Sequence, residues 1–572
     1  MSAFNLSELP LELLINLFEQ LRAESILAMG KTSRRLNTFA IPCLLERLGL
    51  PEPEMSTVIR PGHRSYGDRL TGLILNFSLV RIKHFVCILD NHADEGSLST
   101  VVLSLTRNVR RIHQLVTRLS SIGSACIVFY SVGEMWTLRS DAMVHFFDAF
   151  LQLLETLIQK SCTSIQILHS HPISIEPAYR FEHFQGSTTQ ELANFKQLLK
   201  HHLSVGKPQR FHVHGDGWRY HQLFSHSPIR TPNSLILSNT KLSHLDLSPD
   251  FLLLPPFSKW TLSIMEHSPI TSLTLSSPRL VKEEEFRRFL FPALIRLVPG
   301  LEQIKIAFCT APRFLTTVVE NIAHFPRLKK ITFGVEVNPN SPKNRPSLEP
   351  TRLSNLVSFT GSSEQAAFFL GQPKLSYPNL GFVNVIVDHV QSPFFTQSIL
   401  TDFRVLNDRF SQEGIQPCVS MCVSYRGPLQ RYTPLITSGK DLEYWHSHLF
   451  SISRLTLQTP LLGHVTTDIS KLIDYVLIWL RVFRGINALT LTCRRIIMDT
   501  PWDRDHRHEL LHSAIVEKHP SITSFNVHDL YDNQYHYHWS NARDDLERGI
   551  DGIPGLNIPR NKSTEQCICF DF

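Results

Sequence analysis

The sequence predicts an α/β chain: a small all-α module at the N-terminus, followed by an irregular solenoid of alternating helices and strands. Three observations carry this prediction. Residues up to Leu50 form closely spaced apolar helical segments with no strand pattern. Beyond them a short strand pattern, apolar-x-x-apolar-x-apolar, returns along the chain. Between its copies lie segments of helical periodicity, and helix then strand about every thirty residues gives parallel strands with helices on the outer face.

The first element is Leu9 to Leu21, LPLELLINLFEQL. Pro10 suits the first turn of a helix, where its missing N–H is not needed, and Ser7 is a plausible N-cap. At about 100° per residue, Leu11, Leu14, Ile15 and Phe18 form one face, with Leu13, Leu17 and Leu21 in the adjacent sector. The apolar arc is about 200° wide, against roughly 100° for an ordinary surface helix. Such a helix must be covered on two sides. A second helix is expected after a Ser25 cap, from Ile26 to about Phe39, with Gly30 and Ser33 leaving room for close packing. Pro42 then interrupts, and Cys43 to Leu50 resumes a short helix. Three short helices bury too little surface to be comfortably stable alone, so an open apolar face on them points to a protein partner.

These residues resemble the F-box. The family's Leu-Pro start matches Leu9 and Pro10, its acidic residue Glu12, and its apolar series Leu13, Leu14, Leu17, Phe18 and Leu21. Its second-helix Leu-Leu pair matches Ile26 and Leu27, and its Val-Ser-Lys-Arg-Trp segment falls on Thr32 to Leu36. The register holds over about 28 residues, departing at Ser25, where the family often has Asp, and at Leu36, where Trp is common. The resemblance implies docking on the Skp-type adaptor of a cullin–RING ubiquitin ligase. Leu9, Pro10, Leu13, Leu14, Leu17 and Phe18 would be the apolar anchors, extended by Ile26 and Leu27. The alternative is an N-terminal helical cap that faces inward on its own chain. Residues 51–74, polar and containing Pro and Gly at first, read as a linker between the F-box, 4–50, and the repeats.

The repeats then fill residues 75–548, with a tail over 549–572. The strand pattern appears as Leu242/Leu245/Leu247, Ile270/Leu273/Leu275, Leu301/Ile304/Ile306 and Leu328/Ile331/Phe333. Further copies are Cys162/Ile165/Ile167, Leu380/Val383/Val385, Ile452/Leu455/Leu457, Ile486/Leu489/Leu491 and Ile522/Phe525/Val527. The central first positions step by 28, 31 and 27 residues (242 to 270, 301 and 328), close to leucine-rich repeats; later steps of 34 and 36 (452 to 486 and 522) imply longer units. Helices are expected over Ala142 to Gln159, Gln190 to His202 before a strand Phe211 to Val213, Glu283 to Leu297 with Pro292 dividing it, Arg313 to Phe325, Ile469 to Phe483, and His506 to Lys518. The pattern resembles the leucine-rich-repeat solenoids that commonly follow F-boxes. In that family an Asn or Cys three residues past the strand bonds the turn. Here Asp250, Pro278, Cys309, Glu336, Pro460 and Arg494 stand there, so only Cys309 complies and the arc should be irregular. A doubly wound α/β domain is the structural alternative.

Polar residues beside the last apolar pair of each strand point away from the core by the two-residue period. His244, Asp246, Thr274, Lys305 and Thr332, with later Thr456, Thr490 and Asn526, are therefore candidates for a substrate-binding face. Read singly, each fits a solvated sheet surface with no ligand better than it fits a binding role.

Composition narrows the function. Hydrophobic residues make up 42% and charged residues 19%, as in a folded protein, and the net charge of +6 on 572 residues is too small to argue for nucleic acid. Ten cysteines, several inside apolar segments (Cys87, Cys126, Cys309, Cys493), read as small buried hydrophobes of a reducing compartment. No secretory signal or membrane-length apolar run is present, so an intracellular protein of the cytosol or nucleus, without a membrane partner, is expected. Gly30-Lys31-Thr32 imitates the end of a phosphate-binding loop, but Ser25 stands where the earlier glycine is needed. There is no Cys-x-x-Cys, no His-Glu-x-x-His and no Gly-x-Ser-x-Gly. The histidines His506/His508/His512 and His536/His538 read as surface residues, with a metal hydrolase as the different-class alternative. Cys569 lies four residues from the end, but Asp571 does not suit prenylation.

The expectation is a non-catalytic adaptor with no cofactor and no metal. It would join a Skp-type adaptor and cullin to an unknown substrate protein. The runner-up is a scaffold that binds partners without ubiquitin transfer.

Overall fold

The computed structural model describes residues 9–61, 67–90, 98–130, 141–169, 179–183, 211–213, 218–222, 232, 238, 240–248, 250–253, 257–275, 286–306, 312–334, 351–389, 397–425, 439–449, 451–459, 469–483, 485–493 and 501–529. The chain divides into two compact units, Met1–Pro269 with Arg543–Phe572, and Ile270–Ala542.

The first unit opens with three helices, α1 (Leu11–Gln20), α2 (Ala23–Gly30) and α3 (Arg34–Arg47). Pro10 takes the cap position of α1 with φ −54° and ψ 149°, and its carbonyl accepts from the N–H of Leu14 at 3.1 Å. Ser7 lies outside the described residues. The single helix expected over Ile26 to Phe39 is instead two, and Ser25 lies inside α2 rather than capping it. The break falls where hydroxyls compete for the backbone. Thr32 Oγ1 donates to the carbonyl of Met29 at 2.7 Å, and Ser33, in extended conformation, accepts from the N–H of Leu36 at 3.1 Å as the cap of α3. Gly30 does allow close packing: a Cβ there would lie 2.6 Å from Ile41 Cδ1. Pro42 does not break the helix. It sits inside α3 on an exposed position, and Thr38, whose carbonyl loses a donor, is exposed to water.

Residues 51–74 are not a linker. They supply β1 (Ser56–Ile59) and most of α4 (Gly67–Leu75). Leu45 of α3 packs beside Gly72 of α4, where a Cβ would lie 3.0 Å from Leu45 Cδ2. The three-helix module thus packs directly on the helix that follows β1. β2 (Arg81–Asp90), α5 (Leu98–Arg118), β3 (Ser121–Tyr130), α6 (Asp141–Gln159) and β4 (Ser164–His169) alternate next. After them come β5 (Tyr179–His183), β6 (Phe211–Val213) and β7 (Trp218–Gln222), then β8 (His244–Leu247) and a helix Ser258–His267. β1, β2, β3, β4 and β8 are neighbours in that order, all parallel. β6 is a strand as expected, but it pairs antiparallel with β7, in a separate patch with β5. The helix expected at Gln190 to His202 lies outside the described residues.

The second unit continues the alternation through β9 (Ser272–Leu275), β10 (Gln303–Ile306), β11 (Lys330–Phe333), the two-residue β12 (Thr351–Arg352), β13 (Ser358–Ser362), the two-residue β14 (Leu375–Ser376), β15 (Phe382–His389), β16 (Cys418–Tyr425), β17 (Ile452–Thr459), β18 (Ala488–Cys493) and β19 (Ser524–Asp529). β12 pairs only with β14; the other nine are parallel neighbours in chain order. In neither unit does the strand order reverse, as it must in a doubly wound sheet. The expected helices are present over Pro312–Asn321, Ile469–Val482 and Pro501–Lys518. Pro292 divides its segment as expected: a π-helical turn, Phe286–Leu290, gives way to an α-helix, Phe291–Leu297, with the proline in its first turn.

The repeated pattern has a physical reading. In most copies the first apolar residue precedes the strand by two positions and is buried: Leu242, Ile270, Leu301, Leu328, Leu380, Ile486 and Ile522 are each no more than 5% exposed, whereas the buried Ile452 opens β17 itself. The other two sit in the strand and stack in register, Leu273 on Ile304 on Ile331 on Phe359 on Val383. A helix over Ser363–Leu370 covers this ladder with an aromatic side chain: the Phe369 ring lies 5.5 Å from that of Phe359 and 6.2 Å from that of Phe333 between centroids.

Candidate docking surface

The wide apolar arc of α1 is used on both sides. Leu14 and Phe18 are fully buried, as is Ile26 of α2. With Leu36, Ala40, Ile41 and Leu44 of α3, they form the module's own core. Arg47 fastens the end of α1, donating from Nη2 to the carbonyl of Phe18 at 2.6 Å and from Nη1 to that of Leu21 at 2.5 Å. Arg35 Nη2 donates to the carbonyl of Leu9 at 3.1 Å and holds the start.

What remains outside lies along the two flanks of that buried stripe. On one flank Leu13 is 52% exposed, with Leu17 half-buried one turn on. On the other, Leu11 is 39% and Ile15 37% exposed. Leu9 and Leu27 are half-buried and Pro10 is exposed. Of the eight predicted adaptor contacts, Leu9, Pro10, Leu13, Leu17 and Leu27 are thus accessible, whereas Leu14, Phe18 and Ile26 are withdrawn into the fold. Leu11 and Ile15 are exposed in their place. The helical wheel placed Leu11 and Ile15 on one face with Leu14 and Phe18. Only the direction from which α3 packs separates them, and a single helix does not encode it.

The predicted substrate face fares differently. In the first unit, His244 is exposed, whereas Asp246 is buried and accepts from Ser248 Oγ at 3.1 Å. Row by row, His84, Ser124, Ser164 and His244 are in register, as are Cys126, Gln166 and Asp246. His84 Nδ1 lies 2.9 Å from Ser124 Oγ; burial holds its pKa below the ordinary value, with Lys83 adding to the effect, so the ring is neutral at physiological pH. Burial, with the charge of Asp246 second, pushes the Cys126 thiol up to about 12. It remains protonated and is no nucleophile.

In the second unit, Thr274, Lys305 and Thr332 stand in one register row that continues through Thr360, Asn384 and Ser420. The row itself follows from the two-residue period, but it is not an open surface. Thr274 is half-buried, Lys305 is 8% exposed and Thr332 5%. Neighbouring strands lie about 4.8 Å apart, so side chains of this size shield one another. Thr456, Thr490 and Asn526 form a later row, in which Asn526 is exposed.

Gly30-Lys31-Thr32 is the end of α2 and the turn into α3, not a phosphate loop. Among the described residues, no cluster of three or more His, Cys, Asp or Glu could hold a metal ion. The side chains of His506 and His508, the residues His536 and His538, the tail, and the turn residues Pro278, Cys309, Glu336, Pro460 and Arg494 lie outside them. No helix among the described residues is long and apolar enough to cross a membrane. Comparison with protein-family models gave no match, and comparison with curated proteins gave none.

Proposed function

We propose that this chain is the substrate-recognition subunit of a Skp–cullin–F-box type ubiquitin ligase. Its helical module would dock on the Skp-type adaptor, and a leucine-rich-repeat-like solenoid would hold a substrate protein. The observation that carries this reading is the pair of apolar flanks on α1, where Leu11, Leu13 and Ile15 are between 37% and 52% exposed on a module whose own core is already complete. Apolar side chains left out of a finished core suit a partner that buries them, and such anchors supply most of the free energy of an interface. The resemblance to the F-box over Leu9 to Leu36 names the partner.

The chain itself would do no chemistry. It would hold substrate lysines near a ubiquitin-charged enzyme brought by the cullin, raising their effective concentration. Free buried thiols at Cys87, Cys162 and Cys422 suit a reducing, intracellular setting, cytosolic or nuclear.

The test is reconstitution of the full chain with adaptor and cullin, beside the Leu13→Asp/Ile15→Asp variant. The parent should co-elute with the adaptor and the variant should not, while both melt at the same temperature. Equal capture by parent and variant would overturn the docking surface. Adaptor capture without any ubiquitin transfer to co-purified partners would reassign the chain as a scaffold.

A further inference from the structure

We propose that the groove between α5 and α6 binds a small ligand carrying clustered phosphate groups. α5 is 21 residues long and holds Arg107, Arg110, Arg111 and Arg118 with no Asp or Glu. Leu103, Arg107, Arg110 and Gln114 follow one another at steps of 4, 3 and 4, which places them on one stripe of the helix, and all four are exposed. The inner face of the same helix is occupied by Val102, Leu105, Val109, Ile112 and Val116, all buried. The arginines are therefore not by-products of packing.

Arg107, Arg110 and Arg111 stand at helical spacings of three and four, where like charges repel. Among the described residues, Arg107 and Arg110 have no ion pair or hydrogen bond. Arg111 donates from Nη2 to Thr71 Oγ1 at 2.8 Å, which fixes its guanidinium against α4. His145 of α6 completes the lining, which holds no carboxylate among the described residues. The groove has a volume of about 450 Å³, within the range of small-molecule sites.

These features select the ligand by its chemistry. A guanidinium presents a planar fork that matches two phosphate oxygens. One phosphate satisfies one or two forks; the open forks of Arg107 and Arg110, with Arg111 and His145 beside them, suit more than one phosphate. Binding would also relieve the repulsion that α5 otherwise carries. The phosphates could belong to a soluble polyphosphate or to a phosphorylated lipid headgroup, and the recognition is the same for both. The site does not depend on the adaptor-docking module.

The probe is inorganic tripolyphosphate, titrated by calorimetry into the full chain at physiological ionic strength. Saturable binding is expected, about tenfold or more weaker in the Arg107→Gln/Arg110→Gln variant. Both positions are exposed, so the variant should fold as the parent does, which its melting temperature verifies. No binding by the parent, or equal binding by both, overturns the proposal. Vesicles containing a bisphosphorylated inositol lipid then separate the sources. Co-sedimentation of the parent, lost in the variant, assigns the site to a headgroup; tripolyphosphate binding without co-sedimentation assigns it to a soluble ligand.

Discussion

Asn37 donates from Nδ2 to the carbonyl of Gly30 at 2.9 Å, across the turn between α2 and α3. Its Oδ1 accepts from the N–H of Phe77 at 3.4 Å, forty positions away in the chain. One buried side chain therefore closes the helical module and ties it to the segment that leads into β2. Asn37→Ala strips both partners and leaves a buried carbonyl unserved, a loss of about 1–3 kcal/mol. Urea unfolding measures it. A variant as stable as the parent would show that the module and the first repeat are not joined through this residue.

The inner and outer sides of α1 should separate cleanly in stability. Phe18→Ala removes a fully buried ring and should cost about 3–5 kcal/mol. Leu13→Ala, at a site 52% exposed, should stay within about 0.5 kcal/mol. Comparable losses in the two unfolding curves would contradict the packing described.

Arg409 and Glu413 form a shielded pair, Nη2 to Oε1 at 2.6 Å. Arg409 Nη2 also donates to the carbonyl of Leu375 at 2.6 Å, and Glu413 Oε2 accepts from Ser376 Oγ at 2.8 Å, so together they hold β14. Arg409→Met leaves the carboxylate uncompensated and should cost about 3–5 kcal/mol. Adding Glu413→Gln should recover part of that loss. A double variant as unstable as the sum of the single ones would mean that the pair is not coupled.

Asp402 sets a pH dependence. Burial pushes its carboxyl up from 3.8 to about 7; the hydrogen bond from Ser363 Oγ at 2.9 Å opposes this and the charge of Glu364 adds to it. The folded chain thus keeps a proton that the unfolded chain releases at lower pH. The contribution to stability is full below the unfolded value and is lost as pH rises through about 7. Asp402→Asn should match the parent near about pH 4 and exceed it near about pH 8, by on the order of a few kcal/mol. Melting curves across that range check it, and a constant offset between the two would refute the shift.

Legibility in the sequence followed the physics of each signal. The nine strands carrying apolar-x-x-apolar-x-apolar were readable because the first residue is buried and the next two share one face. β2, β3 and β16 went unread. In β2 and β3, buried residues on both faces, such as Cys87, Ile88 and Leu89, blur the alternation. β13 has Gly361 at its third apolar place, where a side chain would crowd the Phe359 ring. The division of α2 from α3 depended on hydroxyl hydrogen bonds at Thr32 and Ser33 that the apolar spacing does not contain. For α1, the sequence held the helix and the width of its apolar arc. Which leucines turn inward depended on α3, through Arg47 and Leu44, some thirty residues later.

β4 and β8 lie side by side although the chain leaves after His169 and returns only at Ser243. The carbonyl of Thr163 accepts from the N–H groups of both Ser243 and His244, at 2.9 and 3.1 Å, so the seam is sealed where the excursion ends. Closing a longer loop adds only about 0.6 kcal/mol per doubling of its length. By that measure a wide separation in sequence is little obstacle to the pairing of β4 with β8. The register at this joint is set where the two strands begin, Ser164 against His244, eighty positions apart in the chain, and not by a short turn between them.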